Sequence, residues 1–137
     1  MTTIWAHLPN AAHIDRVIAS MKVNIDTWDA AWNTLPKLQS RDAAMNAAWN
    51  AARGMVLVQV RDVAWNAARG ATTGTGSRTA AQYTARYAIL ALCAYDDCAY
   101  MLDSDPGELA ILAAFGDPRA ILLLSACKAF HSISIIA

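Results

Sequence analysis

Trp-Asn-Ala-Ala-Arg-Gly occurs twice in this chain, at residues 49–54 and 65–70, and it constrains the fold more than any other feature. Alanine is the strongest helix former, and a glycine directly after the last helical residue is a common stop signal. The first copy extends backwards as Arg41-Asp-Ala-Ala-Met-Asn-Ala-Ala, which predicts a helix from Arg41 to Arg53 started near Ser40. The second predicts a helix from about Val56 to Arg69, although Met55 to Val60 alone has the propensity of a short strand. A lone strand there would find no partner for its backbone, so helix is preferred. Asp29-Ala-Ala-Trp-Asn33 is a third, partial copy.

Other segments follow the same period. Ile14, Val17, Ile18 and Met21 predict a first helix over Ala11 to Val23 with Asn10 as its cap. Ile25, Trp28, Ala31, Trp32 and Leu35 carry that spacing on until Pro36 ends it. Gly70 to Ser77 is a loop, and Arg78 to Leu102 then reads as one long apolar helix at the centre of a bundle. Two short helices close the chain, each with an aspartate cap before a proline: Asp105-Pro106, where Glu108 completes a capping-box spacing, and Asp117-Pro118. The expectation is one all-α domain over residues 1–137, a compact bundle of five to seven helices with a long central helix.

Charge narrows the function. Eleven basic and eleven acidic residues leave no net field to draw in nucleic acid or an anionic membrane, so neither is expected as a partner. The two most apolar runs, Tyr87 to Leu102 and Ala120 to Ala137, are interrupted by charge, and Met1 to Pro9 lacks the pattern of a secretory leader. Three cysteines, an odd count, read as reduced thiols in the cytoplasm. Cys93 and Cys98 are five residues apart on the expected helix, about 140° around it, which does not suit zinc. His7, His13 and His131 lack partners at ligand spacing, so no cofactor, metal or catalytic set is expected.

The candidate site residues lie on the repeats. At about 100° per residue, Asp42, Asn46, Asn50 and Arg53 form a stripe with Trp49 at its edge; Asp62, Asn66 and Arg69 with Trp65 repeat it. Two readings stay open. The stripes either specify helix packing through a polar layer, or line a pocket in which indole faces stack and Asn50, Arg53, Asn66 and Arg69 direct hydrogen bonds to a small polar ligand. Trp49 and Trp65 are 16 residues apart, so a shared pocket requires a break near Gly54. Thr75, Ser77 and Arg78, at the end of the glycine-rich loop, either hold an anion or belong to a plain connector. Asp97 shares a face with Arg86, Leu90, Cys93 and Tyr100, where a carboxylate needs a partner; Arg53 or Arg69 is expected to supply it. Low charge density and the apolar run Ile133 to Ala137 predict a homo-oligomer.

The Trp-Asn-Ala-Ala-Arg copies, the segment Ala-Leu-Cys-Ala-Tyr-Asp-Asp-Cys-Ala-Tyr-Met-Leu and the segment Gly-Asp-Pro-Arg-Ala-Ile-Leu-Leu-Leu resemble a group of small helical proteins encoded by bacteriophages and prophages. The resemblance spans about Asp42 to Phe130 and implies a genomic setting; it carries no functional residues across. The expected function is a non-enzymatic phage accessory protein that sequesters a nucleotide-like host signal or inhibits a host defence protein. The alternative is a structural or assembly protein.

Overall fold

The structure is a computed structural model that describes residues 8–33, 46, 47, 50 and 79–136. Among these residues it contains five α-helices, a 3-10 helix and no strand. The helices are α1 (Ala11–Val23), α2 (Ile25–Asn33), α3 (Thr79–Ala94), α4 (Pro106–Ala114) and α5 (Pro118–Ile136), with the 3-10 helix η1 (Ala99–Asp103) between α3 and α4. The all-α bundle expected from the period of the apolar residues is what the chain forms. Met55 to Val60, the break near Gly54 and the loop Gly70 to Ser77 lie outside the described residues.

α3 packs against α1, α2 and α5, and α5 in turn packs against α2, α3, α4 and η1. The middle of α3 is built for close approach: Ala81, Ala85, Ala88 and Ala91 are fully buried, and Ile89 and Leu92 fill the space between neighbours. α1 turns Ile14, Val17 and Met21 inward, and α2 contributes Trp28, Ala31 and Trp32. Trp28 meets Phe130 of α5 edge-on, with ring centroids 5.3 Å apart, and donates its indole N–H to the Ser20 hydroxyl at 3.1 Å. The arrangement buries the largest side chain without leaving its polar atom unsatisfied.

Three boundaries differ from the sequence expectation, each for a local chemical reason. α1 does not run on into α2, because Asn24 leaves the helical path and its side-chain amide donates to the Ser20 carbonyl, competing with the backbone ladder. α3 ends at Ala94, not at Leu102. Continuing it would turn Asp97 onto the apolar face that carries Leu90 and Cys93, whereas the turn puts Asp96 and Asp97 in solvent. The final helix is long, at 19 residues, since nothing between Pro118 and Ile136 interrupts it.

Asn10 carries out a different task from the one its position suggested. It makes no side-chain cap to α1. Its buried amide donates instead to the carbonyls of Leu92 (3.0 Å) and Tyr95 (2.9 Å). The Cys98 thiol adds bonds to the carbonyls of Ala91 (3.5 Å) and Tyr95 (3.3 Å). Asn10, from far along the chain, thereby satisfies the Leu92 and Tyr95 carbonyls where α3 stops, and Cys98, from the turn that follows, adds to the bonding there.

The aspartate caps are where they were expected. The Asp105 carboxylate accepts from the Glu108 N–H at 3.1 Å with Pro106 in the first turn, and Asp117 accepts from the Arg119 N–H at 3.0 Å. α4 closes in a Schellman turn: the Gly116 N–H bonds to Ala113, the Asp117 N–H bonds to Leu112, and Gly116 has φ +89°. A Cβ at Gly116 would meet nothing within 4 Å, so only backbone strain opposes a side chain there. Gly116→Ala is expected to cost about 1 kcal/mol. Gly116→Asn should recover part of that loss in a denaturant titration, because asparagine tolerates the left-handed region better.

Candidate functional site

Trp49, Arg53, Trp65, Asn66, Arg69, Thr75, Ser77 and Arg78 lie outside the described residues; Asn50 and Asp97 lie within them. The third copy of the repeat shows how the motif divides its residues. Trp32 is buried against Tyr87 and Tyr83, with centroid distances of 5.5 and 6.1 Å, while the Asn33 amide donates to Asp29 at 3.3 Å on the exposed side. Indole faces the core and amide faces water. In the first copy Asn46 and Asn50 are likewise exposed while Ala47 is buried.

The two copies do not bury the same positions. Ala47 corresponds to Ala30, which is exposed, whereas in the third copy the following alanine, Ala31, is the buried one. Equivalent residues therefore meet different surroundings, and the asparagines of both copies reach solvent instead of forming a dry polar layer.

Asp97 requires a correction. It is not a buried carboxylate on the α3 face but an exposed turn residue, and its partner among the described residues is Arg119 at 3.2 Å. The same guanidinium binds Asp117 through two nitrogens, at 3.3 and 3.1 Å. Burial alone would push the Asp117 carboxyl up, yet hydrogen bonds from the Arg119 side chain and backbone N–H outweigh that and hold it below the usual range. The cluster ties the turn after α3 to the start of α5. A lowered folded value means that its contribution is present above the ordinary carboxylate range and is lost as pH falls through the folded value.

The three thiols are held protonated. Burial pushes Cys93 and Cys127 up to about 11 and Cys98 to about 12. Cys127 also donates to the Ser104 carbonyl at 3.1 Å. In the folded protein at about pH 8, Cys98 and Cys127 are expected to resist a disulfide reagent and to react only after unfolding, because the thiolate is the nucleophile. Rapid reaction of all three thiols in the native state would contradict this geometry.

Two features escaped the sequence reading. The first is an aromatic group at the start of α3: Tyr83 stacks on Tyr87 at 5.9 Å, and the Arg86 guanidinium lies 5.7 Å from the Tyr83 ring and donates to Gln82 at 2.9 Å. Trp32, Tyr87 and Arg86 are buried, so this group fills its own space.

The second is α4. Leu109 and Ala113 face the core, yet Phe115 is 86% exposed, Ile111 58% and Leu112 42%. Glu108, Ile111, Leu112 and Phe115 fall within about 100° of one another around the helix. The Glu108 N–H is used by the Asp105 cap, while its carboxylate makes no reciprocal capping-box bond among the described residues. The signal was present in the sequence, since Leu109, Ile111, Leu112 and Ala113 surround the helix on all sides. A helix apolar all round is ordinarily buried all round.

By contrast, the C-terminal run that suggested self-association is partly engaged internally, because Ile133 packs against the core. No helix among the described residues is long and apolar enough to cross a membrane. No model of a known family, no curated protein and no solved structure matches this chain.

Proposed function

We propose that this protein is a non-enzymatic accessory protein of the phage type, acting in the host cytoplasm by docking on a host protein such as a defence factor. The observation that supports this reading is the exposed apolar face of α4, which presents Ile111, Leu112 and Phe115 on a helix closed at both ends. Lone surface apolar residues are ordinary, but three neighbours on one short helix form a patch of the kind that marks interaction sites. Several polar groups among the described residues are committed: Asp97 and Asp117 to Arg119, Asn10 to α3, and Arg16 to Asp103 through two bonds of 2.9 and 3.1 Å. Groups already paired in this way are poor acids, bases or ligand hooks.

A second reading has its own support. Asn46 and Asn50 face solvent one helical turn apart, which suits the sequestration of a small nucleotide-like molecule by the repeat motif. Native mass spectrometry of the protein purified from infected cells separates the two. A retained polypeptide supports docking, a retained mass of nucleotide size supports sequestration, and a bare chain counts against both.

A further inference from the structure

We infer that α4 is the inserted element of a helix-in-groove contact, entering an apolar groove on another protein whose rim carries a lysine or arginine opposite Glu108. The inference rests on the reading of α4 as the docking face and adds the chemistry of the partner. Glu108, Ile111, Leu112 and Phe115 stand at positions i, i+3, i+4 and i+7, the spacing by which a single helix face fills a groove. The Asp105 cap and the Gly116 turn already order the helix, so docking does not have to pay for folding it.

Charge selects the occupant. Residues 97 to 118 hold five acids, Asp97, Asp103, Asp105, Glu108 and Asp117, and no lysine or arginine, within a chain whose net charge is zero. Asp103 is matched by Arg16, and Asp97 and Asp117 by Arg119; Asp105 caps its own helix. Glu108 is the acid of this segment whose carboxylate bonds to no described residue, and it lies on the apolar face itself. Drawing that carboxylate to the edge of a dry contact is costly unless a cation meets it.

A second copy pairing through the same face supplies no such cation. Antiparallel pairing sets Glu108 against the other copy's Phe115, and parallel pairing sets it against the other Glu108. The three apolar side chains offer on the order of 300 Å² per copy, so a flat symmetric contact would bury about half of what a stable interface takes. A concave groove gathers more area from the partner's walls. An anionic lipid surface offers Glu108 no cation either.

The test places a photoreactive residue at Phe115 of the full chain, and at Val23 as an exposed apolar control on α1, in host extract at about 50 and 200 mM salt. The expected result is a heterologous protein adduct formed from position 115 and not from position 23. It should fall more than tenfold in Ile111→Asp and in the milder Ile111→Ser, and severalfold in Glu108→Gln or at the higher salt. Circular dichroism would verify that each variant remains folded. An adduct that needs Ile111 but is indifferent to Glu108 and to salt overturns the basic rim while leaving α4 as the docking face. An adduct with a second copy of the chain or with lipid overturns the assigned occupant. Absence of any adduct specific to position 115 overturns the docking reading as well.

Discussion

Asn10→Asp is expected to destabilise the fold by about 3 kcal/mol or more at neutral pH, the cost of a buried charge without a counterion. In the native protein the Asn10 amide gives one hydrogen to Leu92 and one to Tyr95, both at the negative end of α3. An aspartate there has no hydrogen to give while ionised, and it opposes two carbonyl oxygens and the helix dipole together. Its folded pKa would lie above the unfolded value of about 3.9. The charged form is the penalised one, so stability is lost as pH rises from the unfolded value through the folded value. It is regained below about pH 4, where a protonated carboxyl can restore one of the two bonds. Asn10→Ala provides the contrast. It should cost about 1–3 kcal/mol from the unsatisfied carbonyls, with little dependence on pH. Urea midpoints measured for both variants across this range would decide the matter, and parallel pH profiles would contradict the assigned bonding.

Trp28→Ala is expected to remove about 3–5 kcal/mol, a large share of the stability of a domain this size. The side chain is fully buried between α1, on which it bonds Ser20, and α5, on which it meets Phe130. Truncation opens a cavity and deprives Phe130 of its edge contact at once. Two smaller changes divide the effect. Ser20→Ala leaves the indole N–H buried without its acceptor, at about 1–3 kcal/mol. Trp28→Phe keeps an aromatic ring but loses both the hydrogen bond and part of the volume, so an intermediate loss is expected. A shift in the denaturation midpoint without a change in slope would identify a stability effect on an otherwise intact fold.

The parts of the fold legible in advance were those decided over a few residues. Asp105 and Asp117 announce helix starts because the capping carboxylate and its N–H lie within three residues, and the geometry follows from the chain itself. Asn10 looked like the same signal and is not, since its partners are on another helix and only tertiary packing selects them. The end of α3 is hidden for a related reason: counting apolar residues from Arg78 to Leu102 favours continuation, but the paired acids, the nearby Cys98 thiol and the distant Asn10 amide stop the helix at Ala94.

The candidate site was less legible than the fold. Asp97 reads in the sequence as a buried carboxylate on the long helix, but the chain turns before it, so it lies in solvent and meets Arg119 at the start of α5. The repeat is plain in the sequence, yet periodicity alone does not say which of its faces looks outward. In the third copy Trp32 turns in, and in the first Asn46 and Asn50 turn out. α4 illustrates the converse difficulty. An apolar residue in a helix reads as core, and Ile111, Leu112 and Phe115 are outside it only because α5 and the rest of the bundle occupy the other side.

The bonds from Asn10 also bear on the order of events as the chain acquires its shape. They join residues separated by 82 and 85 positions, so the entry to α1 and the exit from α3 close as a single step across most of the polypeptide. Such a closure is slow in search and late in reward, because the entropy of a long loop is lost before the contact forms. On a ribosome α1 would lack these bonds until α3 had emerged. Substitutions at Asn10 should accordingly speed unfolding far more than they slow folding.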